Sequence, residues 1–231
     1  MPKKSKSVKK SDENKAWNKR VKKSKPYNQD SILPKKVFYI YCEGENTEPE
    51  YFKAFPLTNA SVKSYGYGET KTKLVKTLIA IKETENDEGI EYWAVFDMDK
   101  RPDNYAQQKE DFNNAIDLAK RNNVNVAYSD DAFELWFILH FRVVSEASVR
   151  HNHYTELSGY FDGNYEKKCK KKIFCKGIYN FLESHEKASQ KEAIKRAKKL
   201  YNTVKDKSYA NQNPVTTVYQ LVEELNVYLP K

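Results

Sequence analysis

The stretch that decides the fold is Val37-Phe38-Tyr39-Ile40-Tyr41-Cys42, which is followed at once by Glu43-Gly44. Six consecutive apolar, β-branched and aromatic residues are typical of a strand that is buried on both faces of a parallel sheet. A second run of this kind, Tyr92-Trp93-Ala94-Val95-Phe96, ends at Asp97-Met98-Asp99. The sequence therefore predicts two buried strands that each end in acidic residues.

The segments around these runs have helical spacing, helix caps or shorter strand-like patterns. Predicted helices cover about 46–55, 70–84 and 105–122, and shorter predicted strands cover 61–67 and 124–129. Strands that alternate with helices indicate an α/β domain with a parallel sheet flanked by helices. Ligands of such sheets bind beyond the carboxyl ends of the strands. We therefore expect both acidic motifs at the same edge of the sheet.

The second half of the chain is predicted to be helical. The dense aromatic segment 132–142 predicts a buried helix that packs on the sheet, with His140 as a core side chain. Further helices are predicted at 165–183, 190–204 and 214–228. The pair His151-x-His153 lacks a third zinc ligand nearby and is interpreted as part of a loop. The predicted α/β domain spans 37–145, and the predicted helical region spans 146–231.

The positive charge of the chain is concentrated at its start. The net charge is +9, but residues 1–36 contain 13 Lys/Arg and 3 Asp/Glu, whereas the remaining residues contain 28 and 29. A lysine-rich segment of this composition cannot bury enough apolar surface to fold alone. It is predicted to be a disordered tail that either contacts the phosphate backbone of nucleic acid or is simply solvated.

The composition also bounds the cellular setting. No apolar run approaches the length of a membrane helix, and no signal peptide is recognisable. The three cysteines show no CxxC spacing, which argues against a disulfide framework and favours a reducing compartment. The expected location is the cytoplasm, with no membrane partner.

The acidic residues after the two strands suggest a metal site. Just past a strand end, Asp97 and Asp99 point the same way if the strand geometry continues, because side chains alternate with period two. Two such carboxylates suit Mg²⁺, which fills its other positions with water and substrate phosphate. Glu43 is then a further ligand or the general acid/base. Acids at strand ends are also often solvated or cap the next helix, and the Asp-x-Asp pattern alone favours that simpler interpretation.

Four longer stretches resemble the RloB family, also called the AbiLii-like group. They are YCEGENTEPEYF at 41–52, AVFDMDK at 94–100, AYSDDAFELWFILHF at 127–141 and NPVTTVYQLV at 213–222. The resemblance covers about residues 34–226. It implies a fold similar to Toprim, the topoisomerase–primase fold, for the α/β domain.

Proteins of that family accompany restriction–modification and abortive-infection loci in bacteria. The resemblance implies a metal-dependent nuclease that acts as an effector in anti-phage defence, with DNA or RNA, possibly tRNA, as substrate. It implies that Glu43 is the general acid/base or a metal ligand. It also implies that Asp97 and Asp99 bind Mg²⁺, which Mn²⁺ can replace. It also implies a separate ATPase of the ABC or AAA type, encoded nearby, since the chain has no Walker A motif.

Several further acids are accessory candidates. Glu48 either binds metal or a nearby cation, or it interacts with a helix N-terminus. Glu134 lies in an apolar helix, where an unpaired carboxylate is costly, so it points to the active edge or forms a buried ion pair. The family pattern Ser-Asn-Pro-Cys is replaced here by Ser129-Asp130-Asp131-Ala132. The acids of that segment, Asp130 among them, are expected to cap the following helix, or else to add a second metal position.

Basic residues supply candidates for phosphate contact. Lys100 and Arg101 directly follow the Asp-x-Asp motif and either contact the scissile phosphate or are ordinary surface charge. A lysine run with aromatic neighbours is a candidate nucleic-acid surface, or else the solvated face of a helix. The lysines of this run are Lys167, Lys168, Lys170, Lys171 and Lys172.

Two other functions are compatible with the sequence. One is a non-catalytic adaptor of a defence complex, which binds nucleic acid or docks to the ATPase. The other is nucleotidyl transfer, for which no site for nucleoside triphosphates is recognisable.

Overall fold

The run at 37–42 forms the first strand of a four-stranded parallel sheet in the computed structural model, which describes residues 36–66, 68–85, 87–100 and 104–231. The strands are β1 (Lys36–Cys42), β2 (Ala60–Gly66), β3 (Ile90–Asp97) and β4 (Asn125–Ser129). Their order in the sheet is β2-β1-β3-β4, and all neighbours are parallel. The predicted α/β fold with a parallel sheet is therefore confirmed. The predicted basic tail, except Lys36, and Arg101 lie outside the described residues.

Three helices connect the strands, and seven follow β4 among the described residues. The connecting helices are α1 (Thr47–Lys53), α2 (Lys71–Glu85) and α3 (Tyr105–Arg121). The later ones are α4 (Glu134–Phe141), α5 (Arg150–Tyr160), α6 (Tyr165–Lys168), α7 (Lys172–Cys175), α8 (Ile178–Ser184), α9 (Gln190–Val204) and α10 (Val218–Asn226). None of the helices in the described ranges combines the length and the hydropathy that a membrane span requires.

Both faces of the sheet are covered, which explains the unbroken apolar runs of β1 and β3. On β1, Phe38 and Ile40 face a large core that includes α1, α4 and the C-terminal helices. Tyr41 faces a second core beneath α2 and α3. Alternation along a strand thus sends neighbouring side chains into different cores. Residues 35–231 form one compact unit, and the predicted boundary at residue 145 stays a prediction.

Helix α4 ties the C-terminal helices to the sheet. Trp136 is fully buried, and its indole N–H donates a hydrogen bond of 2.9 Å to the hydroxyl of Tyr51 on α1. His140 is buried as predicted, and its Nδ1 lies 2.9 Å from the carbonyl of Trp136. Because α1 starts directly after the Glu43 loop, this packing fixes the helix that borders the candidate site.

Three sequence-based predictions were wrong in this region. The predicted helix at 165–183 is divided into α6, α7 and α8, because the buried residues Cys169 and Cys175 are six apart and cannot share one helical face. The pair His151-x-His153 lies in α5 rather than in a loop, and His153 is buried. The last helix begins at Val218, because the preceding residues run beside β4, where Thr216 bridges Ser129.

Candidate metal centre

The two acidic motifs lie at the same edge of the sheet. Cys42 pairs with Val95, and the amide of Glu43 continues this pairing by donating to the carbonyl of Val95 at 2.9 Å. Asp97 is the last residue of β3. Since β1 and β3 are parallel neighbours, their carboxyl ends place Glu43 beside Asp97.

Glu43 is held by two hydrogen bonds. Its Oε2 accepts a hydrogen bond of 3.2 Å from the backbone N–H of Asp97, and its Oε1 lies 2.9 Å from the Nζ of Lys71. Lys71 is the first residue of α2 and its side chain is only 6% exposed. The bond to β3 fixes the orientation of the carboxylate, and the buried lysine balances its charge.

Asp97 is buried and strongly constrained. Its Oδ2 accepts a hydrogen bond of 2.9 Å from the backbone N–H of Phe133 and lies 3.5 Å from Nη2 of Arg150. Burial raises the pKa of Asp97 well above its usual range, and the nearby carboxylates of Glu48 and Glu134 add to the increase against the opposing charge of Arg150. Additional positive charge near Asp97 would therefore stabilise its ionised form.

The backbone conformation that places Asp99 at the site differs from the one expected. Strand β3 ends at Asp97, and Asp99 has a φ of 51°, so the period-two geometry of a strand does not extend to it. The left-handed conformation is one that aspartate adopts more readily than most residues. Nη1 of Arg150 lies 3.1 Å from Oδ1 of Asp99. A single guanidinium thus links both aspartates of the motif.

These side chains line one cavity of about 590 Å³, called here the acidic pocket. Seven acidic residues and two basic residues contribute to its lining, so its formal charge is strongly negative. The acids are Glu43, Glu45, Glu48, Asp97, Asp99, Glu134 and Glu166, and the bases are Arg150 and Lys170. A cavity with this excess of oxygen donors attracts cations and repels phosphate unless a cation is present.

Glu48 and Glu134 face the acidic pocket from two helices, as the sequence suggested for Glu134. Both residues are buried. Burial and the charge of Glu134 raise the pKa of Glu48 to about 7. Burial also raises the pKa of Glu134, although Arg150 and a 3.3 Å hydrogen bond from the hydroxyl of Tyr165 oppose this. The two acids enlarge the negative charge around Asp97.

The donor set fits a hard cation such as Mg²⁺. Among the described residues, no three His, Cys, Asp or Glu side chains converge on a single position for a metal ion. Zinc-type sites need such a cage, but Mg²⁺ is commonly held by one or two carboxylates, with water and substrate phosphate as its other ligands. Glu43, Asp97 and Asp99 all line the acidic pocket and supply carboxylates of that kind.

Lys100 and the two extra aspartates form a separate cluster. Nζ of Lys100 donates to Oδ2 of Asp130 at 2.7 Å, and Lys100 is not among the residues that line the acidic pocket. Asp131 accepts hydrogen bonds from the backbone N–H groups of Lys100 and Arg150. The expectation that these acids cap α4 was wrong, since Asp97 accepts the N–H of Phe133 at that helix start.

The lysine run is divided among several environments. Nζ of Lys168 binds the carbonyls of Phe161 and Asp162, at 3.0 and 2.5 Å. Lys170 lines the acidic pocket, and Lys172 forms an ion pair with buried Glu50. Lys167 and Lys171 are exposed. The five lysines therefore do not form one uniform face.

The sequence patterns did not identify Lys71 and Arg150, the two basic residues that form ion pairs with the acids of the site. Lys71 follows an unremarkable loop, and Arg150 is more than 50 residues from Asp97 in the chain. Arg150 is the first residue of α5, and its Nη2 also donates to the carbonyl of Asp131 at 2.9 Å. No local pattern in the sequence identifies either residue, because each is distinguished only by an ion pair with an acid that is distant in the chain.

A protein-family model described as RloB-like protein matches residues 38–225, which is most of the chain. The match includes every residue that lines the acidic pocket. Searches among curated proteins and among solved structures gave no match.

Proposed function

The chain belongs to the RloB-like family, and we propose that it is a metal-dependent enzyme that hydrolyses phosphodiester bonds in nucleic acid. The observation that carries the proposal is the acidic pocket, where Glu43, Asp97 and Asp99 meet at the carboxyl edge of a parallel sheet. In this proposal the acids after β1 and β3 act as those of a Toprim-like fold and bind Mg²⁺ or Mn²⁺.

When bound, Mg²⁺ would neutralise charge on a phosphoryl oxygen and lower the pKa of a coordinated water. Asp97 and at least one of Glu43 and Asp99 are the residues that would hold it. The backbone N–H groups of Asp97 and Phe133 fix the orientation of Glu43 and Asp97 in advance. Because these two carboxylates are already oriented, the binding of a metal ion requires less rearrangement of the protein.

Arg150 and Lys71 have a complementary task in the proposed mechanism. Without a metal they balance the acids, since Lys71 pairs with Glu43 and Arg150 pairs with Asp97 and Asp99. A guanidinium that faces the pocket is also suited to bind a phosphate oxygen of the substrate. When the substrate enters, Arg150 therefore loses part of its contact with Asp97 and Asp99 and binds a phosphate oxygen instead.

We further propose that this activity serves as an effector of bacterial anti-phage defence and works in the cytoplasm with a separate ATPase. Three buried, free cysteines are compatible with a reducing compartment. The ATPase and the defence role come from the family resemblance alone. The proposed substrate is DNA or RNA, including tRNA, and the cleavage assay described next compares these substrates.

A cleavage assay tests the proposal. Purified protein is incubated with single- and double-stranded DNA, rRNA and tRNA in Mg²⁺, in Mn²⁺ and in EDTA, with and without the neighbouring ATPase. The D97N/D99N variant is expected to lose cleavage by about two orders of magnitude or more. The matched variant E110Q/D117N, which removes two exposed acids of α3, is expected to cleave normally. Cleavage that survives in D97N/D99N rejects the proposal.

One observation favours a second candidate, a non-catalytic adaptor. Each of the three acids already has an ion-pair partner in Lys71 or Arg150. In an adaptor these pairs would be purely structural. The adaptor predicts binding of nucleic acid or of the ATPase with no cleavage under any of the assay conditions.

A further inference from the structure

A second hollow of about 530 Å³ is lined by other residues of α1 than those that line the acidic pocket. We call it the lysine hollow, and it is lined by Glu50, Lys53, Ala54, Lys172, Lys176 and Asn180. Its charge is opposite to that of the acidic pocket, with three lysines and one glutamate. Glu50 belongs to the stretch 41–52 that resembles the RloB family, and of the lining residues only Lys172 was a sequence-based candidate for a site.

The floor of the lysine hollow is a buried glutamate. Glu50 is 4% exposed, and its Oε1 lies 3.1 Å from Nζ of Lys53 and 3.3 Å from Nζ of Lys172. Burial raises the pKa of Glu50, but the hydrogen bonds and charges of the two lysines outweigh it, so the net shift is downward. Glu50 therefore holds two ammonium groups in place at the entrance, where their side chains remain 39% and 59% exposed.

Lys176 is the third lysine that lines the lysine hollow. Lys172 begins α7 and Lys176 follows its last residue in a helical conformation, so the two side chains, four residues apart, project from the same side. Lys176 is exposed, and no ion pair that involves it is seen among the described residues. An exposed lysine at the rim of the hollow is available to bind an anionic group of a ligand.

The two cavities are close neighbours along the chain. Lys170 lines the acidic pocket and Lys172 lines the lysine hollow, so their Cα atoms are at most about 7 Å apart. Glu48 and Glu50 on α1 likewise face one cavity each. A nucleic-acid strand carries one phosphate for about every 3.4 Å along a stacked helix. A strand cut in the acidic pocket thus has a neighbouring phosphate within reach of the lysine hollow.

We propose that the lysine hollow is a phosphate subsite, in which Lys53, Lys172 and Lys176 bind the nucleic-acid backbone within about two nucleotides of the bond that is cut. The inference rests on the proposed function, because it takes nucleic acid as the ligand. The lysines supply the attraction that the acidic pocket does not, and they set the register of the strand.

The test separates binding from cleavage. Fluorescence anisotropy in EDTA measures binding of the full chain to a labelled single-stranded DNA, and to an RNA of the same sequence, of about 12 nucleotides, over a range of salt concentrations. K176Q and K53Q/K176Q are compared with the wild type and with K191Q/K199Q, which removes two exposed lysines of α9. Circular dichroism and thermal unfolding verify that each variant is folded, and K176Q alone leaves both partners of Glu50 intact.

The expected result is weaker binding of at least one oligonucleotide and a smaller salt dependence. The slope of log K against log [salt] should fall by about 0.7 for each lost phosphate contact, and K191Q/K199Q should match the wild type. Equal slopes and affinities in K53Q/K176Q and the wild type overturn the proposal. Equal losses in the control, or no binding by the wild type, also overturn it.

The outcomes also distinguish this proposal from the proposed function. If the wild type cleaves in Mg²⁺ while K53Q/K176Q binds and cleaves as the wild type does, the subsite is wrong and the nuclease stands. If the lysine variants lose binding but no condition yields cleavage, the lysine hollow binds phosphate in a non-catalytic adaptor, and the nuclease is rejected together with the register relative to a cut bond.

Discussion

The carboxylate of Glu48 occupies the space that a side chain at Gly44 would need. A Cβ atom built on Gly44 would lie 2.0 Å from Oε2 and 2.4 Å from Oε1 of Glu48. Glycine at position 44 is therefore what allows a buried acid to reach back from α1 over the loop that carries Glu43. This close approach brings the negative charge of Glu48 to the edge of the acidic pocket.

Three glycine-to-alanine variants are expected to separate this role from general packing. G44A displaces only the end of a flexible side chain, so its unfolding free energy should change little while cleavage activity falls. G66A places a Cβ 2.0 Å from the carbonyl oxygen of Gly44, which is backbone, and should destabilise the fold by about 2 kcal/mol or more. G159A meets nothing within 4 Å in α5 and should stabilise it by about 0.5–1 kcal/mol. Urea denaturation measures the stability and a cleavage assay the activity, and full activity in G44A would show that cleavage does not depend on the position of Glu48 beside the acidic pocket.

The raised pKa of Glu48 predicts how stability depends on pH in the absence of divalent cations. The folded pKa of about 7 lies above the unfolded value of 4.5, so the contribution of Glu48 to stability is present at low pH and is lost as pH rises toward 7. Replacing it by a neutral isostere removes this loss. E48Q is expected to be more stable than the wild type at pH 8 by on the order of 2 kcal/mol, with a much smaller difference at pH 5. Denaturant unfolding in EDTA measures this, and a difference that is independent of pH would refute the charge-based explanation.

Removal of Arg150 should make the stability of the fold depend on Mg²⁺. R150M leaves Asp97 and Asp99 without their shared guanidinium among buried acids, so it should lower stability by on the order of 3 kcal/mol in EDTA. Mg²⁺ should restore part of this loss, because a bound cation replaces the missing charge. R142M removes an exposed ion pair with Glu156 and should cost at most about 1 kcal/mol in either condition. An R150M defect that is identical with and without Mg²⁺ would show that no cation binds beside these acids.

Much of the fold follows from sequence patterns, because it depends on local periodicity. The apolar runs of β1 and β3 and the spacing in α2, α3 and α9 are local signals, and each element lies within a few residues of its predicted position. The placement of Glu43 and Asp97 at one edge of the sheet also follows from the sequence, since parallel strands all end at the same edge. That inference needs only the alternation of strands and helices.

The rest depends on contacts between distant residues. Arg150 and Lys71 balance the acids, yet nothing local distinguishes them from other basic residues of a chain that has 41. The segment that contains Thr216 lies beside β4 instead of starting a helix, because the hydroxyl and N–H of Thr217 bind the backbone of Tyr128. The lysine run could be recognised as basic from the sequence. Its division between two cavities could not, because it depends on the ion pair of Lys172 with the buried Glu50.

The location of a divalent cation tests the central claim most directly. Crystals of the wild-type chain soaked in an excess of Mn²⁺ should show an anomalous difference peak in the acidic pocket. The account predicts a peak about 2.1 Å from a carboxylate oxygen of Asp97 and of at least one of Glu43 and Asp99, and no such peak in D97N/D99N. An empty acidic pocket in the soaked wild-type crystals, or a peak held only by residues outside that pocket, would contradict it.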